Sequence, residues 1–274
     1  PISGEENCLM IFPFASPSRS GFLPLKTRPY WLAFDASGSF LYVAGEGSVL
    51  QVLDARQSYK LVRNIPMKGP LTDLRLSRDK RYLTVCLMGN TPGVALVDTA
   101  TTLPAGFVPT ETSPWSACLV GPRVFACEGD ARSGFVEAVD AASGRQVGKC
   151  RVGNCPTGLQ ETPDGTRLAV ACSGNACVSL VDTLNLKELG RVAVDVLPQK
   201  LAISPDGSRC LVSNKENNTV TVIDMKLGQP VGTIEVGKAP LGICYSRDGR
   251  HAYVACRDSG VIMVLDGQTG QVLH

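Results

Sequence analysis

Pro198 to Asp224 reads PQKLAISPDGSRCLVSNKENNTVTVID, and the same pattern returns along almost the whole chain. The proline leads a short apolar run, Leu201-Ala202-Ile203. Ser204-Pro205-Asp206-Gly207 then reads as a turn. Proline presets φ, aspartate bonds back to nearby backbone N–H groups, and glycine accepts φ > 0. The preceding copy, PTGLQETPDGTRLAVACSGNACVSLVD from Pro156 to Asp182, divides in the same way. Its second strand runs from Arg167 to Ala171, a hairpin centres on Ser173-Gly174-Asn175, and a third strand runs from Val178 to Asp182. A fourth strand follows from about Gly190 to Val194. No segment shows a helical period.

Two columns fix the repeat. An aspartate closes an apolar run at Asp54, Asp98, Asp140, Asp182, Asp224 and Asp266, and a proline recurs at Pro29, Pro70, Pro114, Pro156, Pro198 and Pro240. The spacing is 42 residues, drifting to 41 or 44 only in the first copies. A repeat of this length with four strands and no helix predicts an all-β chain, a β-propeller with one four-stranded blade per repeat. The unit 109–150 departs most, with a first turn cut to Val120-Gly121-Pro122-Arg123 and a lengthened hairpin from Glu128 to Gly134.

Cys8 to Pro29 spans the same 21 residues as Cys177 to Pro198. Cys8 to Phe12 therefore aligns with a third strand and Gly21 to Leu25 with a fourth, and His274 completes the fourth strand of the last repeat. This predicts one propeller domain over 1–274, with a half-blade at 1–25 and blades at about 26–65, 66–108, 109–150, 151–192, 193–234 and 235–274. Six full blades plus half of another imply a seven-bladed ring seen as a fragment. The alternative is six blades with residues 1–25 as an appendage.

Of the 274 residues, 44% are hydrophobic and 19% charged, in the range of a globular protein with a substantial core. No apolar run approaches the roughly 20 residues that span a bilayer. A net charge of +2, with no concentrated Lys/Arg run, gives no sign of a nucleic-acid partner. Eleven cysteines are an odd set in a chain this long, which points to reduced, buried thiols and a cytoplasmic location. The chain starts at Pro1 without a methionine, so a removed signal peptide stays compatible with it.

The copies at 156–182 and 198–224 resemble the YVTN-type propeller repeat, whose usual form is P-x-G-I-A-V-S-P-D-G-x-x-x-Y-V-T-N-x-x-x-N-T-V-S-V-I-D-T. The resemblance covers nearly the whole chain and is weakest at 1–25 and 109–135. It implies seven blades and roles in binding, attachment or scaffolding, with a minority of related lactonases and lyases. The final position of the Y-V-T-N signature falls on Ser3, Gly45, Cys86, Cys127, Cys172, Asn214 and Cys256, where cysteine replaces an asparagine expected to bond the hairpin backbone.

Candidate sites follow from the propeller plan, in which inter-blade loops and second-to-third-strand hairpins rim the channel. Trp31 and Trp115, just after the column proline, are aromatic anchors for a ligand or partner. Asp73, Arg75, Gln160, Glu161 and Lys200 place polar groups on the first strands, which are otherwise apolar. Asp73 and Arg75 also suit a simple pair along the strand. Cys150, Cys155, Cys172 and Cys177 form a thiol cluster, with a C-x₄-C hairpin suited to a disulfide or a metal as well as to plain thiols. The aspartate column is read as turn chemistry.

Two functional readings result. The first is a non-catalytic binding or scaffold propeller that presents a protein or small-molecule surface at the channel mouth. The second is a lactonase- or lyase-like enzyme with a metal held by carboxylates such as Asp73 or Glu161. Only His251 and His274 are available for imidazole chemistry, and His251 opens a second strand away from that face. No cofactor is expected, and neither a nucleic acid nor a membrane span.

Overall fold

The structure is a computed structural model that describes residues 8–11, 21–25 and 27–273. It divides into two compact units, Pro1–Ser113 and Pro114–His274.

In the first unit, β1 (Cys8–Ile11) and β2 (Gly21–Pro24) pair as a two-stranded sheet. A four-stranded antiparallel sheet follows from β3 (Pro29–Phe34), β4 (Phe40–Gly45), β5 (Val49–Asp54) and β6 (Lys60–Pro66). The next is built by β7 (Leu71–Leu76), β8 (Tyr82–Leu87), β9 (Gly93–Asp98) and β10 (Leu103–Pro109). The second unit begins with β11 (Ser116–Val120), β12 (Arg123–Gly129), β13 (Gly134–Asp140) and β14 (Gln146–Val152). It continues with β15 (Pro156–Glu161), β16 (Arg167–Cys172), β17 (Cys177–Asp182) and β18 (Lys187–Ala193). Another sheet holds β19 (Pro198–Ile203), β20 (Arg209–Asn214), β21 (Thr219–Asp224) and β22 (Gln229–Glu235). The last holds β23 (Pro240–Tyr245), β24 (His251–Cys256) and β25 (Val261–Asp266). Every sheet keeps its strands in sequence order, as a propeller blade does.

The blade count corrects the sequence expectation. Among the described residues six blades are present rather than seven. The segment expected to contribute a half-blade forms only the β1–β2 ladder, and Leu9 of that ladder packs with Leu41, Val43 and Leu53 of the first blade. A seventh blade needs four strands, and the described residues of this segment supply two. The fourth strand expected to end at His274 is likewise reduced to a single bridge between Leu265 and Val272, and His274 itself lies outside the described residues.

In the blades from β3 to β22 the second and third strands are buried on both faces, which is why RLAVAC (β16) and CVSLVD (β17) read as near-continuous apolar runs, whereas β25 of the last blade is mostly exposed or half-buried. One face of the β11–β14 blade packs against the β15–β18 blade through Phe125, Val136, Val152, Leu159, Leu168 and Val170. The opposite face of β15–β18 meets the next blade through Ala169, Val178, Leu201 and Val212. Fourth strands such as β18 are largely exposed, and their polar residues reflect it.

The aspartate column is turn chemistry in all six repeats. Asp182 accepts from the N–H groups of Leu184 and Asn185 at 3.0 and 2.7 Å, and Asp224 from those of Lys226 and Leu227. Asp54, Asp98, Asp140 and Asp266 accept from the same region of their own turns. Gly121, at φ 56°, and Pro122 make the two-residue turn between β11 and β12, where Val120 pairs with Arg123. Glycine at the first central position suits such a tight hairpin. The β12–β13 hairpin is lengthened as expected, with six residues between the paired Glu128 and Phe135 against four between Cys172 and Cys177, and the ladder takes up the extra two as the pair Gly129–Gly134. Glu128, Gly129 and Gly134 are strand residues, and only Asp130–Ser133 forms the loop.

Strand register also corrects the cysteine column. Arg167 lies opposite Asp182, and five residues on, Cys172 lies opposite Cys177. Counting equally from Phe40–Asp54, Tyr82–Asp98, Arg123–Asp140, Arg209–Asp224 and His251–Asp266 gives Gly45, Leu87, Glu128, Asn214 and Cys256. Cys86 and Cys127 fall one residue early. A one-residue offset in a strand moves a side chain to the other face of the sheet, so these two do not share the column. Ser3 lies outside the described residues.

Candidate functional site

At one end of the second unit, each inter-blade loop is stitched to the hairpins beside it. Cys155 N–H donates to Asp130 O at 2.7 Å, while Ser173 N–H and Gly174 N–H donate to Cys155 O and Asn154 O, each at 3.0 Å. The Asn154 side chain reaches Ala131 O at 3.2 Å, and its N–H meets Asn175 Oδ1. In the next blade, Asn217 Oδ1 accepts from Val196 N–H in the loop before it and Asn218 Oδ1 from Ala239 N–H in the loop after it, both at 2.9 Å. Asparagine recurs here because one side-chain oxygen accepts from a neighbouring loop without a strand being formed.

Adjacent first strands are joined by hydroxyls rather than by a ladder. Ser116 Oγ accepts from Leu159 N–H at 3.2 Å and Thr157 Oγ1 donates to Pro198 O at 2.9 Å, while Ser213 Oγ, on the second strand β20, donates to Leu241 O of the next blade's first strand at 2.9 Å. Gln160 belongs to the same scheme, its Oε1 accepting from Ile203 N–H at 3.2 Å.

The expected site residues separate between the two units. In the first, Asp73 and Arg75 lie on one face of β7 and form an ion pair of 3.4 Å, with the carboxylate almost fully buried. Trp31 is half-buried against the core of that unit. In the second, Trp115 is 41% exposed, and its indole N–H donates to Gly129 O at 3.3 Å. Glu161 and Lys200 are half-buried on β15 and β19, and Lys200 rests its aliphatic stem near Gly158. Trp31 and Trp115 thus differ in setting although both follow the column proline.

Among the expected thiols, Cys172 and Cys177 face each other across the β16–β17 hairpin, and Cys150 lies in the same apolar cluster. Cys155 is placed elsewhere, in an inter-blade loop at φ 49°. Two further cysteines in that cluster, Cys118 and Cys127, were missed from sequence. Counting strand position from the aspartate would have put Cys127 on the face of β12 that meets the next blade. None of the eleven cysteines is joined in a disulfide. Burial raises the Cys150 pKa. Among the described residues, no group of three or more His, Cys, Asp or Glu side chains gathers to hold a metal.

Sequence reading also missed a charged group on β12–β14. Glu128 and Glu137 are buried, Lys149 Nζ lies 2.5 Å from Glu128 Oε1, and the same ammonium sits 4.6 Å above the Phe135 ring. The register puts Glu128 at the column position that Cys172 and Asn214 occupy in the next two blades. In the latter, Asn214 Nδ2 donates to Thr219 Oγ1 at 3.1 Å and Thr221 Oγ1 at 2.8 Å, and Thr219 Oγ1 donates to Asp195 Oδ2 at 2.6 Å. The column asparagine therefore bonds side chains here, not the hairpin backbone.

The sheets define a β-propeller. Solved structures agree: Kuenenia stuttgartiensis hydrazine synthase superposes with a TM-score of 0.81 over 95% of this chain and 89% of that one, at 20% identity. A functionally unknown protein from Desulfotomaculum acetoxidans gives 0.80 over 100% and 93%, at 16% identity. Identities this low show the fold alone. No family model and no curated protein matches the sequence. Among the described residues, no helix is long and apolar enough to cross a membrane.

Proposed function

We propose that this chain is a non-catalytic binding propeller of YVTN type, and that the loop end of its second unit carries a surface for a protein or small-molecule partner. One observation carries the reading. Trp115 exposes 41% of its surface while its indole N–H is tied to Gly129 O, so a large aromatic face is held in place before any partner arrives. Aromatic anchors that lose little freedom on binding are what concentrated interface energy requires. The interlocked loops around it support a preformed surface.

Replacing Trp31 by phenylalanine leaves Trp115 as the sole tryptophan and a direct fluorescence reporter. Titration with peptide and small-molecule libraries should find ligands that change this emission. Their affinity should fall at least tenfold in Trp115→Ala, with the urea midpoint held. Ligands bound equally by Trp115→Ala, or turnover of a lactone in proportion to enzyme added, would overturn the proposal.

A further inference from the structure

The column locus changes its chemistry from blade to blade, and in the β15–β18 blade it becomes a pair of thiols. Cys172 and Cys177 occupy the positions of Asn214 and Thr219 in the next blade and of Cys256 and Val261 in the last. Among these aligned pairs, only this one sets sulfur against sulfur. Ser179 stands where the next blade has Thr221, and Gly153 where it has Asp195. A Cβ added at Gly153 would lie 3.0 Å from the sulfur of each cysteine, so the absent side chain leaves room for both. Gly153 N–H donates to Ser179 Oγ at 3.1 Å, and the same hydroxyl lies 3.7 Å from Cys172 Sγ, within hydrogen-bonding reach.

We propose that Cys172 and Cys177 form a thiol–disulfide exchange site whose reaction partner is a low-molecular-weight disulfide. Directly opposed residues in an antiparallel pair have Cα atoms about 4.5–5.5 Å apart, inside the range a disulfide bridges. The two thiols lie close enough to shift each other's pKa in opposite directions. Cys177 is the attacking sulfur. It keeps 6% of its surface in solvent while Cys172 keeps none. The Cys172 hydrogen bond, aided by the Arg191 charge, lowers the Cys177 pKa, and the same hydrogen bond with burial raises that of Cys172.

The steps balance. Cys177 sulfur attacks one sulfur of RS–SR, a Cys177–SR bond forms, the RS–SR bond breaks, and the leaving RS⁻ takes the proton Cys177 gave up. Cys172 sulfur then attacks Cys177 Sγ, the Cys172–Cys177 bond forms, and the second RS⁻ leaves with the Cys172 proton. The protein loses two electrons, and RS–SR becomes two RSH.

The test uses oxidised glutathione on the folded chain, followed by unfolding in a maleimide and tryptic mass spectrometry. The peptide Leu168–Lys187 carries both cysteines. In the wild type it should lose two hydrogens and take up no maleimide. In Cys172→Ala it should carry one glutathione on Cys177. In Cys177→Val, which copies the last blade, Cys172 should carry maleimide alone. Recovery of both cysteines as maleimide adducts in the wild type, with glutathione on Cys155 or Cys244 instead, would overturn the site. So would Cys172→Ala without glutathione on Cys177. If Cys172→Ala fails to fold by circular dichroism, the wild-type peptide mass still decides.

Discussion

Asn214 Nδ2 lies 2.8 Å from Thr221 Oγ1, a hydrogen bond between two fully or nearly buried side chains on neighbouring strands of the β19–β22 blade, while Asn214 Oδ1 is left without a partner among the described residues. Removing one partner strands the other. Asn214→Ala should lower stability by about 1–3 kcal/mol, the range for leaving a buried polar group unpaired. Asn214→Cys should lose less, because cysteine already fills this locus at Cys172 and Cys256. Urea unfolding of the three proteins at one pH checks both orderings.

Gly153 and Gly190 make a matched pair of strand-associated glycines. A Cβ at Gly153 would approach Cys172 Cβ to 2.6 Å, whereas nothing lies within 4 Å of one at Gly190. Gly153→Ala should therefore destabilise by about 1–3 kcal/mol through overpacking. Gly190→Ala should be neutral or stabilise by up to about 1 kcal/mol. A neutral Gly153→Ala in thermal or urea unfolding would remove the crowding account of this position.

The first turn of five repeats places one residue in the left-handed region. It is Gly38, Gly165, Gly207 and Gly249 at φ 71–75°, but Lys80 at φ 61°. The turn itself is unchanged, since Lys80 N–H donates to Ser77 O at 2.8 Å just as Gly165 N–H does to Thr162 O. A side chain makes this conformation unfavourable by about 1 kcal/mol or more. Lys80→Gly should raise stability by up to about 1 kcal/mol, and Gly207→Ala should lower it by a similar amount. Equal midpoints for Lys80→Gly and the wild type would show that the turn tolerates lysine without strain.

Acid should weaken the fold through its turns. Asp164 accepts a hydrogen bond from the Thr162 hydroxyl and another from Thr166 N–H, and these hold its pKa at about 2, below the ordinary 3.8. Asp206 and Asp248 are shifted the same way by Ser204 and Ser246. A carboxylate whose pKa is lower when folded contributes stability above its unfolded value, and loses it as pH falls through the folded one. The urea midpoint should therefore be level above about pH 5 and drop between about pH 4 and 2. Asp164→Asn should flatten part of that drop. A midpoint that rises on acidification would contradict the assignment.

Sequence by itself determined the repeat, the propeller fold and the turn chemistry. Aspartate, glycine and proline act within a few residues of chain, so their columns report local geometry without tertiary help. Asp182 and Asp224 bond the very turns that follow them. Local signals do not fix which face a side chain takes once a loop changes by one residue. That is why Cys86 and Cys127 were aligned with Cys172 until strand pairing placed them on the other face. Blade number also escaped the sequence, because two strands can pair with each other and pack on a neighbour without joining a four-stranded sheet. Tertiary structure alone decided that Trp115 is exposed and Trp31 half-buried, and that Gly153 leaves space for two opposed thiols. Both outcomes depend on residues distant in sequence, and burial is set by what the folded chain brings alongside.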